Sequence, residues 1–179
     1  MRMDTSDETL AREAAGGDAA AFSALVTRHY DRLFRLCFRL TGVRTEAEDL
    51  CQDICAALPA KVRAFRGEAR FTTWLWRVAV NAANDRRRRA ATRARTADGW
   101  GDVEDARRAE AAEAAAAMDW LARAMRALPD ELRDTVALVM DEMTHAEAGE
   151  ILGVSEGTVS WRMSEVKKRL RAMKEAVDG

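Results

Sequence analysis

Between Phe22 and Phe38 the apolar side chains fall at Phe22, Leu25, Val26, Tyr30, Leu33, Phe34, Cys37 and Phe38. Steps of three and four residues mark one face of a helix and exclude an alternating strand. The pattern holds from Ala19 to Leu40, a rod of roughly 33 Å at 1.5 Å per residue. Such a rod buries its stripe only against other elements, so the rest of the chain must supply them. Those elements are helices too. Pro59 and Pro129 are the only prolines in 179 residues, and Ala, Arg, Glu and Leu dominate, a balance that favours helix over sheet. The reading is an all-α fold.

Thr41-Gly42 ends the first rod. Thr45 with Glu48 three residues on has the form of a capping box. It predicts a second helix to about Leu58, before Pro59, with Ala47, Leu50, Cys51, Ile54 and Leu58 inward. Its outer side carries Glu46, Glu48, Asp49, Gln52 and Asp53. Gly67 marks a loop, after which Thr72 or Thr73 is placed to cap a third helix with Leu75, Val78, Ala79 and Ala82 on its core stripe. A Gly-, Asp- and Ala-rich segment follows and reads as a linker. Beyond it, Trp120, Leu121, Ala124, Met125 and Leu128 make one stripe, and Leu132, Val136, Val139 and Met140 the next. The expectation is two small helical domains on a flexible tether: 1–95, an acidic linker 96–117, and 118–179.

Thr144 to Arg171, THAEAGEILGVSEGTVSWRMSEVKKRLR, has the parts of a helix-turn-helix. Thr144 caps a short helix, Gly149 permits a close crossing, Gly153 suits a left-handed turn, and Ser155 caps the second helix. Val159, Met163, Val166 and Leu170 hold that helix on the core. Its outer side presents Ser155, Glu156, Gly157, Thr158, Ser160, Trp161 and Arg162, short polar and cationic groups of the kind that read base edges in a major groove. Lys167, Lys168, Arg169 and Arg171 suit phosphate contact.

The total charge of −1 conceals segregation: residues 28–95 hold sixteen Lys and Arg against seven Asp and Glu, and residues 96–134 five against ten. The basic block points to a polyanion partner. Within it Trp74, Arg77, Asn81, Asn84 and Arg88 follow helical spacing along a non-core face. Rings that stack, amides that bond base edges and arginines that neutralise phosphate suit unpaired DNA; a solvated arginine-rich helix end is the plainer alternative. Trp74 and Trp76 stand about 200° apart on the helix, so at least one belongs at the rim. Cys51 and Cys55 share an apolar stripe and, with Cys37, read as structural thiols, a redox or metal sensor being the alternative. No glycine-rich nucleotide loop, metal-ligand cluster or catalytic triad is present, so neither cofactor nor enzymatic activity is expected. No apolar run approaches a membrane span. The N-terminus, MRMDTSDETLAREAAGGD, lacks the form of a secretory signal, and the cytoplasm is the expected location.

EDLCQDICAALPAKVRAFRGEARFTTWLWRVAVNAANDRRRR followed by LPDELRDTVALVMDEMTHAEAGEILGVSEGTVSWRMSEVKKRL resembles an extracytoplasmic-function (ECF) sigma factor of the sigma-70 family. The resemblance covers about residues 18–90 and 118–172 and implies a promoter-specificity subunit without enzymatic activity. It implies that Glu48, Asp49, Gln52 and Asp53 meet the β′ clamp of core RNA polymerase. Arg66, Phe71, Thr73, Trp74, Trp76, Arg77, Asn81, Asn84 and Arg88 would capture and open the −10 element. Ser155, Glu156, Gly157, Thr158, Ser160, Trp161, Arg162, Glu165, Lys167 and Lys168 would read the −35 element, on a domain that also contacts the β flap. An anti-sigma factor is a further expected partner, and Asp98, Asp102, Glu104 and Asp105 would either mimic RNA charge in the polymerase or form a merely solvated tether. Ser160 and Glu165 stand where many relatives are basic, and Ala148-Gly149 replaces a commoner Ile-Ala pair, so upstream binding without polymerase is expected to be weak. Two other readings are a dimeric helix-turn-helix regulator and a sigma-like decoy that occupies an inhibitor.

Overall fold

A computed structural model describes residues 5–96 and 116–178, with side chains described for 5–93 and 120–176. Eight helices lie within those residues: α1 (Asp7–Ala15), α2 (Ala19–Thr41), α3 (Arg44–Val62), α4 (Phe71–Thr96), α5 (Ala116–Ala127), α6 (Asp130–Val139), α7 (His145–Leu152) and α8 (Glu156–Asp178). The RNA-mimicking carboxylates assigned to the linker lie outside the described residues.

The Phe22–Phe38 stripe forms α2, the central rod of the first unit, packed by α1, α3 and α4. Asp18 caps it by accepting from the amides of Ala20 and Ala21, and Gly42 closes it at φ 70°. Tyr30 departs from the expected stripe and stands 48 % exposed, while His29, Leu36 and Leu40 go inward. A helix flanked on several sides buries more than the single stripe that periodicity reveals.

Other boundaries also differ from the sequence expectation. The Thr45–Glu48 capping box does not form: α3 begins at Arg44, Val43 supplies no side-chain cap, and Glu48 instead pairs with Arg44 at 3.0 Å. Pro59 does not end α3, which continues to Val62. Proline forfeits the bond to Cys55 O, a cost of about 3 kcal/mol in a helix interior. Pro59 itself is exposed, and the added turn buries Leu58 and Val62, which offsets the loss. Neither Thr72 nor Thr73 caps α4. Its first amide, on Phe71, donates to Glu8 Oε1 at 3.3 Å, so α1 supplies an acceptor and a negative charge at that N-terminus.

In the second unit, Thr144 and Glu147 form a complete capping box on α7. Gly153 takes φ 68° in the turn. A Cβ on Gly149 would stand 2.7 Å from Val154 O, so any side chain there would force the turn open. Ser155 Oγ accepts from Thr158 N at 3.1 Å, opening α8. Met140, expected inward, is 47 % exposed because α6 ends at Val139.

The two units pack directly on one another, α6 and α5 against α2, and α7 against α4. One apolar cluster runs from Leu33, Leu36 and Leu40 into Ala137, Leu138, Met143, Ala148 and Ile151. A second, smaller one holds Met125, Leu128, Leu132, Val136 and Val166 within the C-terminal unit. Gly42 sits hard against α5, where a Cβ would meet Arg126 Cγ at 2.5 Å and Ala122 O at 3.0 Å. No helix among the described residues is long and apolar enough to cross a membrane.

Candidate nucleic-acid and polymerase interface

α3 presents Glu48, Asp49, Gln52 and Asp53 to solvent while Leu50, Cys51 and Ile54 are buried beneath them. Arg86 of α4 reaches over to Asp53 at 2.6 Å and Asp49 at 3.7 Å. One arginine of the four-residue run therefore serves the acidic face. The three thiols lie against α2 and α3, Cys37 and Cys51 buried and Cys55 half-buried. A hydrogen bond with Cys37, with burial added, pushes the Cys51 thiol up to about 12. A bond with Cys51 first, then burial, raises Cys55 as well. Thiols held protonated in this way are poor nucleophiles and poor metal ligands. Among the described residues no group of three or more His, Cys, Asp or Glu is placed to hold a metal.

The residues assigned to −10 recognition separate into two sets. Arg66, Asn81 and Arg88 are exposed, and Trp74, Arg77 and Asn84 half-buried. Asn81, Asn84 and Arg88 line one open cleft with Lys61 and Arg87. Trp74 rests on Phe65 and Phe71, with ring centroids 5.5 Å and 5.6 Å away. Phe71, Thr73 and Trp76 are instead buried. They turn inward because α4 is covered by α1 and α2 as well as α3, so its core face is wider than the Leu75–Ala82 stripe. Trp76 lies edge-on to His29 at 6.5 Å and beneath the Arg32 guanidinium at 5.5 Å. In this arrangement none of the three side chains offers a surface to a strand.

On α8, Ser155, Glu156, Gly157, Ser160, Lys167 and Lys168 are exposed, Thr158 and Glu165 half-buried, and Trp161 stands 62 % exposed. Ser160 Oγ lies 2.9 Å from His145 Nδ1. Arg162 does not project with them. It lies along α6, its Nη2 donating to Glu131 Oε2 at 2.9 Å, because the Val159–Met163–Val166 face draws that side of α8 onto the core.

Sequence reasoning missed the charges that join the units. Arg39 Nη2 meets Asp141 Oδ1 at 2.8 Å, and Arg32 Nε meets Asp141 Oδ2 at 3.0 Å. Arg87 Nη2 donates to Asp134 Oδ2 at 2.6 Å and also to Asn84 Oδ1. Burial pulls the Arg39 guanidinium below its ordinary value, and Asp141 pulls it back. Burial likewise pushes the Asp134 carboxyl above the usual range, against the hydrogen bond and charge of Arg87. No local spacing signals these partners, which stand 47 to 109 residues apart.

The outer carboxyl of Glu147 is held low: bonds from the Thr144 amide and hydroxyl favour its charged form, with Arg70 adding to them. The folded carboxyl thus binds its proton less tightly than the unfolded one. Its contribution is complete above about pH 4.3, the ordinary glutamate value, and is lost as pH falls through the lower folded value. In Glu147→Gln this acid-sensitive increment should vanish, flattening the melting-temperature profile below that pH; a profile with the wild-type slope would assign the acid sensitivity elsewhere.

Profile comparison finds Sigma-70 region 2 over residues 25–93 and Sigma-70 region 4 over residues 118–170. The first spans α2 to α4 with the acidic face, and the second spans the helix-turn-helix. The chain belongs to the ECF sigma factors of the sigma-70 family. It is 35 % identical to the ECF RNA polymerase sigma factor SigM of Mycobacterium tuberculosis over 174 residues, covering 94 % of this chain and 85 % of SigM. To the ECF factor SigW of Bacillus subtilis it is 28 % identical over 172 residues, covering 89 % and 92 %. Among solved structures it resembles CnrH, solved in complex with the cytosolic domain of CnrY, with TM-score 0.71 and 25 % identity over 95 % of this chain and 97 % of that one. This sigma factor is accordingly a transcription initiation factor, with the acidic face of α3 in its region 2 and α7 and α8 in its region 4.

Proposed function

We propose that this sigma factor binds core RNA polymerase through the acidic face of α3, captures one promoter strand along α4, and reads upstream duplex with α8. The exposed row Glu48, Asp49, Gln52 and Asp53 carries the reading: four polar side chains on a rigid, apolar-backed helix suit a basic partner helix of the β′ clamp. Trp74, Arg77, Asn81, Asn84 and Arg88 offer ring, guanidinium and amide groups to an unpaired strand. Trp161, Ser160, Ser155, Lys167 and Lys168 supply the −35 contacts, with the β flap as a second partner of that unit. The chain acts in the cytoplasm, has no catalytic role of its own, and is held by an anti-sigma factor until a stress signal releases it. That last inference draws on CnrH, whose structure was solved with CnrY.

Replacing Asp49 and Asp53 together with lysine tests the polymerase face. Both carboxylates are exposed, and their pairs with Arg86 contribute at most about 1 kcal/mol each, so helical content and melting should barely change. Affinity for core polymerase should fall about tenfold or more, roughly 1.4 kcal/mol or above. Unchanged affinity would move the polymerase contact off α3.

A further inference from the structure

We infer that Glu8 is a positioning residue for strand capture: from α1 it latches the first turn of α4 and, with it, the base of the loop over residues 66–70. The inference rests on the assignment of α4, with Arg66 in the loop before it, to the promoter strand. α1 grips Phe71, the first residue of α4, by two routes. Glu8 Oε1 accepts from the Phe71 amide at 3.3 Å. The neighbouring Asp7 accepts from Arg28 Nη1 at 2.5 Å and lies 2.8 Å from His29 Nε2. The His29 ring in turn packs on the Phe71 ring, with centroids 5.4 Å apart. Adjacent carboxylates of α1 thus tie the start of α4 to α2.

The loop closes over this point. Phe65 N bonds to Val62 O at 2.9 Å as the chain leaves α3, and the Phe65 and Phe71 rings meet edge-on at 5.7 Å. Arg66 to Arg70 are strung between those two rings, bending at Gly67 with φ 73°. Glu8 and Thr73 line one cavity with Gly67, Glu68, Ala69 and Arg70, so the carboxylate stands beside the loop as well as at the helix end. Trp74 N bonds to Arg70 O at 3.1 Å, closing the turn that Glu8 holds, and the Trp74 ring rests on both phenyl rings. Helix-start amides need an acceptor, and a first turn that frays here carries Trp74 and the loop with it. A strand-binding surface formed for only a fraction of the time binds more weakly by that fraction. The acidic face of α3 is backed by Leu50, Cys51 and Ile54 instead, and should keep its polymerase contact.

The probe that tests this is fork-junction DNA with a single-stranded tail, selected by wild-type holoenzyme from a pool randomised in the tail. Glu8→Ala holoenzyme should bind it about tenfold more weakly, the order that one lost helix cap allows. Glu8→Gln keeps an acceptor for the Phe71 amide and should bind close to wild type. Asp7→Ala, which loosens α1 with Glu8 intact, should shift in the same direction as Glu8→Ala. Amide hydrogen exchange at Phe71 to Trp74 of the free chain should quicken in Glu8→Ala and not in Glu8→Gln, while both variants keep wild-type affinity for core polymerase. Unchanged tail affinity in Glu8→Ala, with wild-type holoenzyme binding the tail, overturns the latch and leaves α4 assigned to the strand. An equal loss of core affinity, or a Glu8→Gln variant as weak as Glu8→Ala, overturns it as well. Wild-type holoenzyme that retains no tail sequence removes the assignment of α4 to the strand, and the latch with it.

Discussion

Trp76→Ala should destabilise the N-terminal unit by about 3–5 kcal/mol, the range for truncating a buried large aromatic. For a unit of this size that is a drop of about 12–40 °C in melting temperature. The side chain is 0 % exposed and sits between His29 and Arg32 on the α2 side of α4. Its removal costs the transfer free energy of the indole, the cavity left behind, and the cation–π contact that steadies Arg32. Arg32 in turn holds Asp141, so the loss should extend to the junction between units. Trp76→Phe keeps most of the volume and should recover most of the stability. The measurement also decides the residue's role. A tryptophan that served the promoter strand would leave the melting curve in place on truncation and weaken DNA binding instead. Trp74→Ala, at the rim over Phe65 and Phe71, should show that second pattern with a smaller stability cost.

The two tryptophans show what residue spacing can and cannot tell. Their separation of 200° says that the pair cannot share one narrow stripe, and the structure keeps that result: one is core, the other rim. Which is which depends on how many neighbours cover α4, and α1 is the neighbour that the pattern conceals. Asp7–Ala15 contributes only Leu10, Ala11 and Ala14 to the core, too few apolar residues to announce a helix amid acidic ones. Yet it widens the buried face of α4 and supplies Glu8 at its N-terminus. The helix-turn-helix was legible in detail because its signals are local: a cap at Thr144, a turn at Gly153, a cap at Ser155. The acidic face of α3 was legible for the same reason.

Cationic residues were harder to place, because charge density is local and pairing is not. The run Arg86 to Arg89 reads as one basic block. In the fold Arg86 turns to Asp53, Arg87 to Asp134, and Arg88 to Asp85. Only the last partner lies within a helical turn. Arg162 likewise satisfies every sequence criterion for base contact and is held by Glu131, 31 residues earlier. Net charge by segment therefore overstates the cations available to nucleic acid while the two units are packed. The same observation makes the packing itself electrostatic, with the buried carboxylates of the second unit facing arginines of the first.

Asp141→Ala is the sharpest way to probe that junction. Asp141 is 5 % exposed and lies between Arg39 and Arg32, and Arg39 is itself buried with its Nε bonded to Ala137 O at 3.2 Å. Removing the carboxylate leaves two guanidinium groups without their shared counterion in a desolvated interface. Breaking a buried pair in this way costs about 3–5 kcal/mol. An ordinary core has no means of relieving that cost short of unfolding. Here one exists: separating α6 from α2 returns Arg39 and Arg32 to water while each unit keeps its own helices. The expected result is thus not a uniformly lower melting temperature but a loss of coupling, with one calorimetric transition becoming two and little change in helical content before either. Replacing both partners, Arg39→Met with Asp141→Leu, removes the charges as well as their desolvation cost and should leave a single transition near the wild-type temperature, since apolar substitutes for a buried pair are often neutral or stabilising. A single, unshifted transition for Asp141→Ala would mean that the apolar contacts of Leu36, Leu40, Ala137 and Leu138 hold the units together without the ion pair.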